Sequence, residues 1–273
     1  INCMDINIIR KEDTFKSLLE ILFLQYQHYN NLITFIDNNY ETNDPLTMAK
    51  DFAEELSLYE TDIEEIFSTN IFDINSETLD INFNTDLLNN ISKALIEIKA
   101  LIPHDFEKLC ALYIKFLGTT GIPNITKHSH DQGIDFVGIV ERKVHSRLFS
   151  SKSNINKIYL IGQAKHYDTD KVKSNEIREL AGSIYLLKTK GFALKNDPYP
   201  NISIKSFTPI YVYFITSYYF SEAAKRLCIH SDIMPIDRIL LALTFGLNSE
   251  YHDVTGHFCP YTLKNALSNI NYF

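Results

Sequence analysis

DQGIDFVG (131–138) and LIGQAKHY (160–167) are the two stretches on which the fold of this chain turns. In the first, Gly133 precedes a short run, 134–140, that is β-branched and apolar apart from Asp135 at its start. Such composition predicts a buried strand, and the glycine permits a tight turn just before it. The second closes the run 157–165, in which Gln163 and Lys165 stand two residues apart. Side chains alternate across a strand, so both project from one face. If the two strands pair as a hairpin, a carboxylate, an amide oxygen and an ammonium converge at one spot. That set suits phosphodiester hydrolysis. Carboxylate and amide oxygens favour Mg²⁺, a hard cation; the ion polarises a phosphate and helps ionise a water. A lysine beside it orients or deprotonates that water and steadies developing charge.

Outward from these strands the pattern alternates. Phe106, Leu109, Cys110, Leu112, Tyr113 and Phe116 are spaced for one face of a helix that Gly118 to Pro123 end. A helix is predicted over 174–190, a strand over 209–216, a helix over 221–228, a strand over 233–236 and a helix over 237–245. The order implies an α/β domain, a central sheet flanked by helices. Upstream, Phe15, Leu18, Leu19, Leu22, Phe23, Tyr26, Tyr29 and Leu32 recur at helical steps and predict one helix. A second follows the break at Asn43-Asp44-Pro45. Thr61, with Glu64 three residues on, reads as the cap of a short third helix. The stretch 76–86 reads as a loop and 87–100 as a helix.

Six pieces in order, FEKL (106–109), DQGID (131–135), QAK (163–165), IRELAG (177–182), FITSYYFSEAA (214–224) and PID (235–237), resemble Mrr-type restriction endonucleases of the PD-(D/E)XK nuclease family, over about half of the chain. The resemblance implies a restriction-endonuclease-like fold with a mixed central sheet and a metal-dependent DNA endonuclease serving bacterial defence. It implies Mg²⁺ as cofactor, with Mn²⁺ able to substitute. By position, Asp135 resembles the metal-binding aspartate and Gln163 stands where many members have Glu or Asp. Lys165 resembles the catalytic lysine and Glu107 the helix glutamate that completes the acidic cluster. The backbone carbonyl of Ala164 is implied as a further metal ligand. One departure is length: twenty-seven residues separate Asp135 from Gln163. The excess carries Arg142, Lys143, His145, Arg147 and Lys152 and reads as an extended tip able to reach DNA phosphates, or merely a solvated loop. Arg142, Lys143, Arg147, His166, Tyr167 and Arg178 are the candidate DNA contacts.

Each residue also has a plainer reading. Asp135 alone could be a turn aspartate, Lys165 a solvated strand lysine and Glu107 an exposed helix glutamate. Asp131 shapes a turn better than it binds metal. His128 and His130 lack a paired carboxylate motif and read as surface residues, and Glu179 reads as structural. For the whole domain the competing reading is a catalytically silent nucleic-acid-binding or scaffold subunit of a larger defence complex.

The net charge of −8 is unevenly spread. Residues 1–103 hold 6 Lys+Arg against 19 Asp+Glu, whereas 104–190 hold 14 against 9. The basic middle can meet phosphates and the acidic first third cannot. Three parts are expected: an acidic helical region over 1–90 for oligomerisation or for binding a partner defence protein, the nuclease over 91–245, and an extension over 246–273. Cutting both strands calls for a dimer or larger assembly. Four scattered cysteines without a CxxC pair disfavour zinc and a disulfide framework and fit a cytoplasmic setting. No apolar run is long enough to cross a bilayer, so no membrane partner is expected.

Overall fold

The computed structural model describes residues 3–126, 133–141, 157–191, 199, 202–204 and 206–272, with the side chains of 3–12 excluded. Two compact units result. The first comprises 1–97 and 242–260, and the second 98–241 and 261–273.

The second unit is built on a six-stranded mixed sheet in the order β7-β6-β5-β4-β3-β8. Its strands are β3 (Asn124–Ile125), β4 (Phe136–Glu141), β5 (Lys157–Lys165), β6 (Ile210–Thr216), β7 (Ile233–Ile236) and β8 (Asn271–Tyr272). β4 and β5 are antiparallel from Phe136↔Gly162 to Glu141↔Lys157, and the last pair is closed by a Lys157 Nζ–Glu141 Oε1 contact of 3.1 Å. The expected hairpin pairing is therefore present despite the long connection. β5–β6 and β6–β7 are parallel, the geometry that buries a sheet under helices on its faces.

Helix α5 (Pro103–Phe116) covers one face, where Ile114 and Thr119 press on Gly138 so closely that a Cβ there would lie 2.9 Å from Ile114 Cδ1. On the other face Val137, Tyr159, Ile161 and Phe214 form a core with Ile177, Leu180, Ile184 and Leu187 of α6 (Ser174–Thr189). Ala224 and Cys228 of α7 (Glu222–His230) join the same core. Ser221 caps α7 by accepting from the Ala224 N–H at 3.3 Å. Asp237, of the PID piece, caps α8 (Arg238–Leu247) by accepting from Ile239 and Leu240 N–H at 3.1 and 3.2 Å. The expected elements of this domain are all present, with β3, β8 and α9 (Pro260–Ser268) in addition. The sheet of mixed direction between helices is the architecture the resemblance implies.

In the first unit, α1 (Cys3–Gln25), α2 (Leu32–Asn39), α3 (Pro45–Phe67) and α4 (Thr85–Ala100) pack with a hairpin of β1 (Phe72–Ile74) and β2 (Ile81–Phe83). Three expectations are corrected here. The single helix through Leu32 ends at Gln25, because a 3-10 turn at Tyr26–His28 leads to an extended Tyr29. Asn31 then caps a new helix through bonds from Ile33 and Thr34 N–H. Thr61 starts no helix. It lies inside α3, its hydroxyl donating to the Ser57 carbonyl at 3.0 Å, because the buried stripe Phe52, Leu56, Glu60 and Ile63 runs on past it. The stretch 76–86 is a loop only at its tip, where Asn75 Oδ1 accepts from Glu77 and Thr78 N–H, and then becomes β2 and the start of α4. No described helix is long and apolar enough to cross a membrane.

Candidate active site

Asp135 sits immediately ahead of β4, its N–H donating to the Gly162 carbonyl at 2.9 Å and its own carbonyl accepting from Thr126 N–H at 2.9 Å. The Thr126 hydroxyl, buried, donates to the neighbouring Ile134 carbonyl. With its backbone held from both sides, Asp135 directs Oδ2 at β5, where it accepts from the Ala164 N–H at 2.7 Å. Ala164 lies between Gln163 and Lys165, so the carboxylate meets the segment the sequence singled out. In a strand the N–H and C=O of one residue point to the same edge, so the Ala164 carbonyl is on the side from which Asp135 approaches.

Gln163 is 5% exposed and shares its strand face with Ile161 and Lys165. Gly133 comes close to its amide: a Cβ at this glycine would lie 3.8 Å from Gln163 Nε2 and 2.6 Å from Ser183 Oγ on α6. With φ of +85° as well, position 133 favours glycine on two grounds, conformation and space. The other end of the amide, Oε1, is shut away from solvent with no hydrogen-bond donor among the described residues. An unsatisfied buried carbonyl oxygen costs about 1–3 kcal/mol. Lys165 is half-buried at the end of β5, opposite Thr216, and its ammonium makes no hydrogen bond or ion pair with a described residue.

Glu107 lies on α5, one helical turn before the fully buried Cys110. Burial pushes its thiol well above its ordinary range, and the nearby carboxylates of Asp135 and then Glu107 add to the shift. The thiol thus stays protonated and neutral between two acids. Sequence reading placed Cys110 on the helix's buried face and missed its place behind the site; the Glu-x-x-Cys spacing was the available signal. His104, one turn before Glu107, was missed too, though His-x-x-Glu spacing is legible. Its Nδ1 lies 3.7 Å from Glu107 Oε2.

The residues present fit a divalent cation. The Asp135 carboxylate, the Gln163 amide oxygen and the Ala164 carbonyl are oxygen groups of the kind Mg²⁺ prefers, to which Glu107 would add a second carboxylate. No cluster of three or more His, Cys, Asp or Glu suited to a metal occurs among the described residues. With glutamine in the set, only two such side chains are needed.

The flanking candidates divide. His166 stacks on Phe106 with ring centroids 5.1 Å apart, and burial holds its imidazole below the ordinary range despite nearby Asp168. It is therefore a neutral ring at pH 7 rather than a cation. The Tyr167 hydroxyl donates to Glu176, and its N–H donates to Ser217 Oγ at 2.7 Å. Burial raises the phenol well above its usual range, with the Glu176 bond second. Arg178 is exposed on α6, its Nη1 3.4 Å from Ser174 Oγ. Arg142, Lys143, Arg147 and the rest of the basic tip, together with His128, His130 and Asp131, lie outside the described residues.

The mixed sheet flanked by helices is a restriction-endonuclease-like fold, and residues 98–196 match the family model Mrr_cat, described as restriction endonuclease. The match takes in FEKL, DQGID, QAK and IRELAG; FITSYYFSEAA and PID lie beyond it. Among solved structures, the MspJI restriction endonuclease in complex with a 27-mer oligonucleotide is similar at 17% identity and a TM-score of 0.44, covering 66% of this chain and 36% of that one. The DNA modification-dependent restriction endonuclease AspBHI is similar at 14% identity and a TM-score of 0.39, covering 66% and 39%. The chain thus spans well under half the length of either. No curated protein matches it.

Proposed function

We propose that this protein is a divalent-metal-dependent DNA endonuclease that hydrolyses phosphodiester bonds in a restriction-like defence role. The observation that carries the reading is the Asp135 carboxylate bonded into the Gln163–Lys165 segment beside a buried amide oxygen that has no donor. Asp135, Gln163 Oε1, the Ala164 carbonyl and Glu107 would hold the ion, Mg²⁺ by preference and Mn²⁺ as substitute. When bound, the ion supplies Lewis-acid polarisation of the phosphate and lowers the pKa of a water. The protein's own groups do the rest. Lys165 Nζ donates hydrogen bonds to the attacking water and to the charge developing on the phosphate. The Ala164 N–H holds Asp135 Oδ2 against β5. Apolar packing by Phe106 and His166 beside Glu107 excludes bulk water and strengthens these interactions.

DNA is the substrate proposed, met through the basic 104–190 region, with Arg142, Lys143, Arg147, His166, Tyr167 and Arg178 as contacts. The acidic first unit, built around the 1–90 region, serves assembly or a partner defence protein, and cleavage of both strands uses a dimer or larger complex in the cytoplasm.

The test is relaxation of supercoiled plasmid by the purified chain with Mg²⁺ and then with EDTA. Asp135→Asn and Lys165→Met are expected to lower the Mg²⁺-dependent rate by on the order of 10²-fold or more, with unchanged circular dichroism. Equal nicking by wild type and Asp135→Asn, or none by wild type on any DNA, would contradict the proposal.

A further inference from the structure

Glu107 has a histidine one turn before it on α5. His104, on the preceding turn of α5, faces its carboxylate with Nδ1 3.7 Å from Oε2. The far nitrogen of the same ring, Nε2, lies 3.1 Å from the hydroxyl of Tyr272. The two rings also stack, with centroids 5.6 Å apart and planes inclined by 13°. Tyr272 reaches this position because β8 pairs in parallel with β3, Ile125 opposite Tyr272, at the edge of the nuclease sheet. A residue 165 positions away in sequence from Glu107 is thus brought to its supporting histidine by strand pairing.

From these contacts we infer that Tyr272 and His104 are positioning residues for the metal-binding carboxylate of Glu107. The inference rests on the metal site proposed above and extends it to β8. Donation by the Tyr272 hydroxyl to Nε2 makes Nε2 the acceptor and puts the ring proton on Nδ1. That N–H edge then faces the Glu107 carboxylate at 3.7 Å, longer than a hydrogen bond, and limits the positions the carboxylate can take. Partners that orient a metal ligand in this way commonly change metal affinity by 10–100-fold when removed, without touching the ion. β8 is therefore part of the active centre's support.

The experiment is Mn²⁺ titration of the full-length chain, without DNA, followed by electron paramagnetic resonance of free Mn²⁺, on wild type, Glu107→Gln, Tyr272→Phe, His104→Gln and His104→Leu. Tyr272→Phe keeps the stacked ring and removes only the hydroxyl. It is expected to weaken Mn²⁺ binding by on the order of tenfold, in the same direction as Glu107→Gln, with an unchanged melting temperature. His104→Gln, whose amide N–H can face Glu107, should retain more affinity than His104→Leu. In plasmid nicking, the metal concentration needed should rise while the rate at saturating Mn²⁺ recovers; a merely structural role would not split the two. Wild-type affinity in Tyr272→Phe overturns the inference and leaves the metal site standing. Unchanged affinity in Glu107→Gln overturns it by removing Glu107 from the ligand set. Absence of Mn²⁺ binding by wild type overturns both readings.

Discussion

Glutamine at position 163 gives the site one negative charge fewer than a carboxylate would, and its Oε1 has no donor to satisfy it. Exchanging it for glutamate would add an acid to the segment that Asp135 meets, where Gln163 is almost fully buried. Without metal, like charges so close destabilise the fold; with metal, the added carboxylate is the stronger ligand. Gln163→Glu is therefore expected to melt lower than wild type in EDTA and to bind Mn²⁺ about tenfold more tightly. Calorimetric melting with and without the ion checks both signs. Gln163 and Lys165 were legible because alternation along β5 puts them on one face, and Asp135 because it directly precedes β4, which pairs with β5. Cys110 and His104 were not singled out, since a helix position says which side is buried but not what a distant strand presents to it. Tyr272 gave no local signal at all. Its role exists only through the pairing of β8 with β3.

Between β4 and β6, the strand β5 is held at its closest approach by Gly162. A Cβ there would lie 2.3 Å from Phe136 Cζ and 2.3 Å from the Tyr213 carbonyl oxygen. Backbone cannot give way inside a paired sheet, so Gly162→Ala is expected to destabilise by about 1–3 kcal/mol or more. Because Gly162 also accepts the bond from Asp135 N–H, the same change should cost nuclease activity in whatever protein still folds. Chemical denaturation reads the first effect and plasmid nicking the second. At this scale the sequence told the nuclease elements well, as their apolar runs are short, β-branched and bounded by turn residues. It failed where local pattern and tertiary packing disagreed. Thr61 carries a capping signature, yet the buried stripe of α3 continues through it, and burial of that stripe outweighs a cap worth about 1 kcal/mol. The hairpin of β1 and β2 has strands of three residues each, too short for alternation to declare itself.

Across the molecule, charge and fold divide along the same lines. The acidic 1–103 stretch supplies most of the first unit, and the basic 104–190 stretch holds the site and most of the sheet. On the proposed function, contact with phosphates falls to the second unit, and DNA binding is expected to weaken as salt rises. The first unit also recruits residues 242–260. Asn90, 1% exposed, donates to the Gly256 carbonyl at 3.0 Å and accepts from Phe258 N–H at 2.9 Å. No local pattern in the sequence joins those segments.

If Asp135, Gln163, Ala164 and Glu107 surround one cation, anomalous diffraction from crystals soaked in Mn²⁺ at a concentration that supports nicking will show a peak bounded by the Asp135 carboxylate, Gln163 Oε1 and the Ala164 carbonyl. That peak will be lost in Asp135→Asn. Mn²⁺ bound only elsewhere in an active protein, with Gln163 Oε1 still facing no cation, would contradict it.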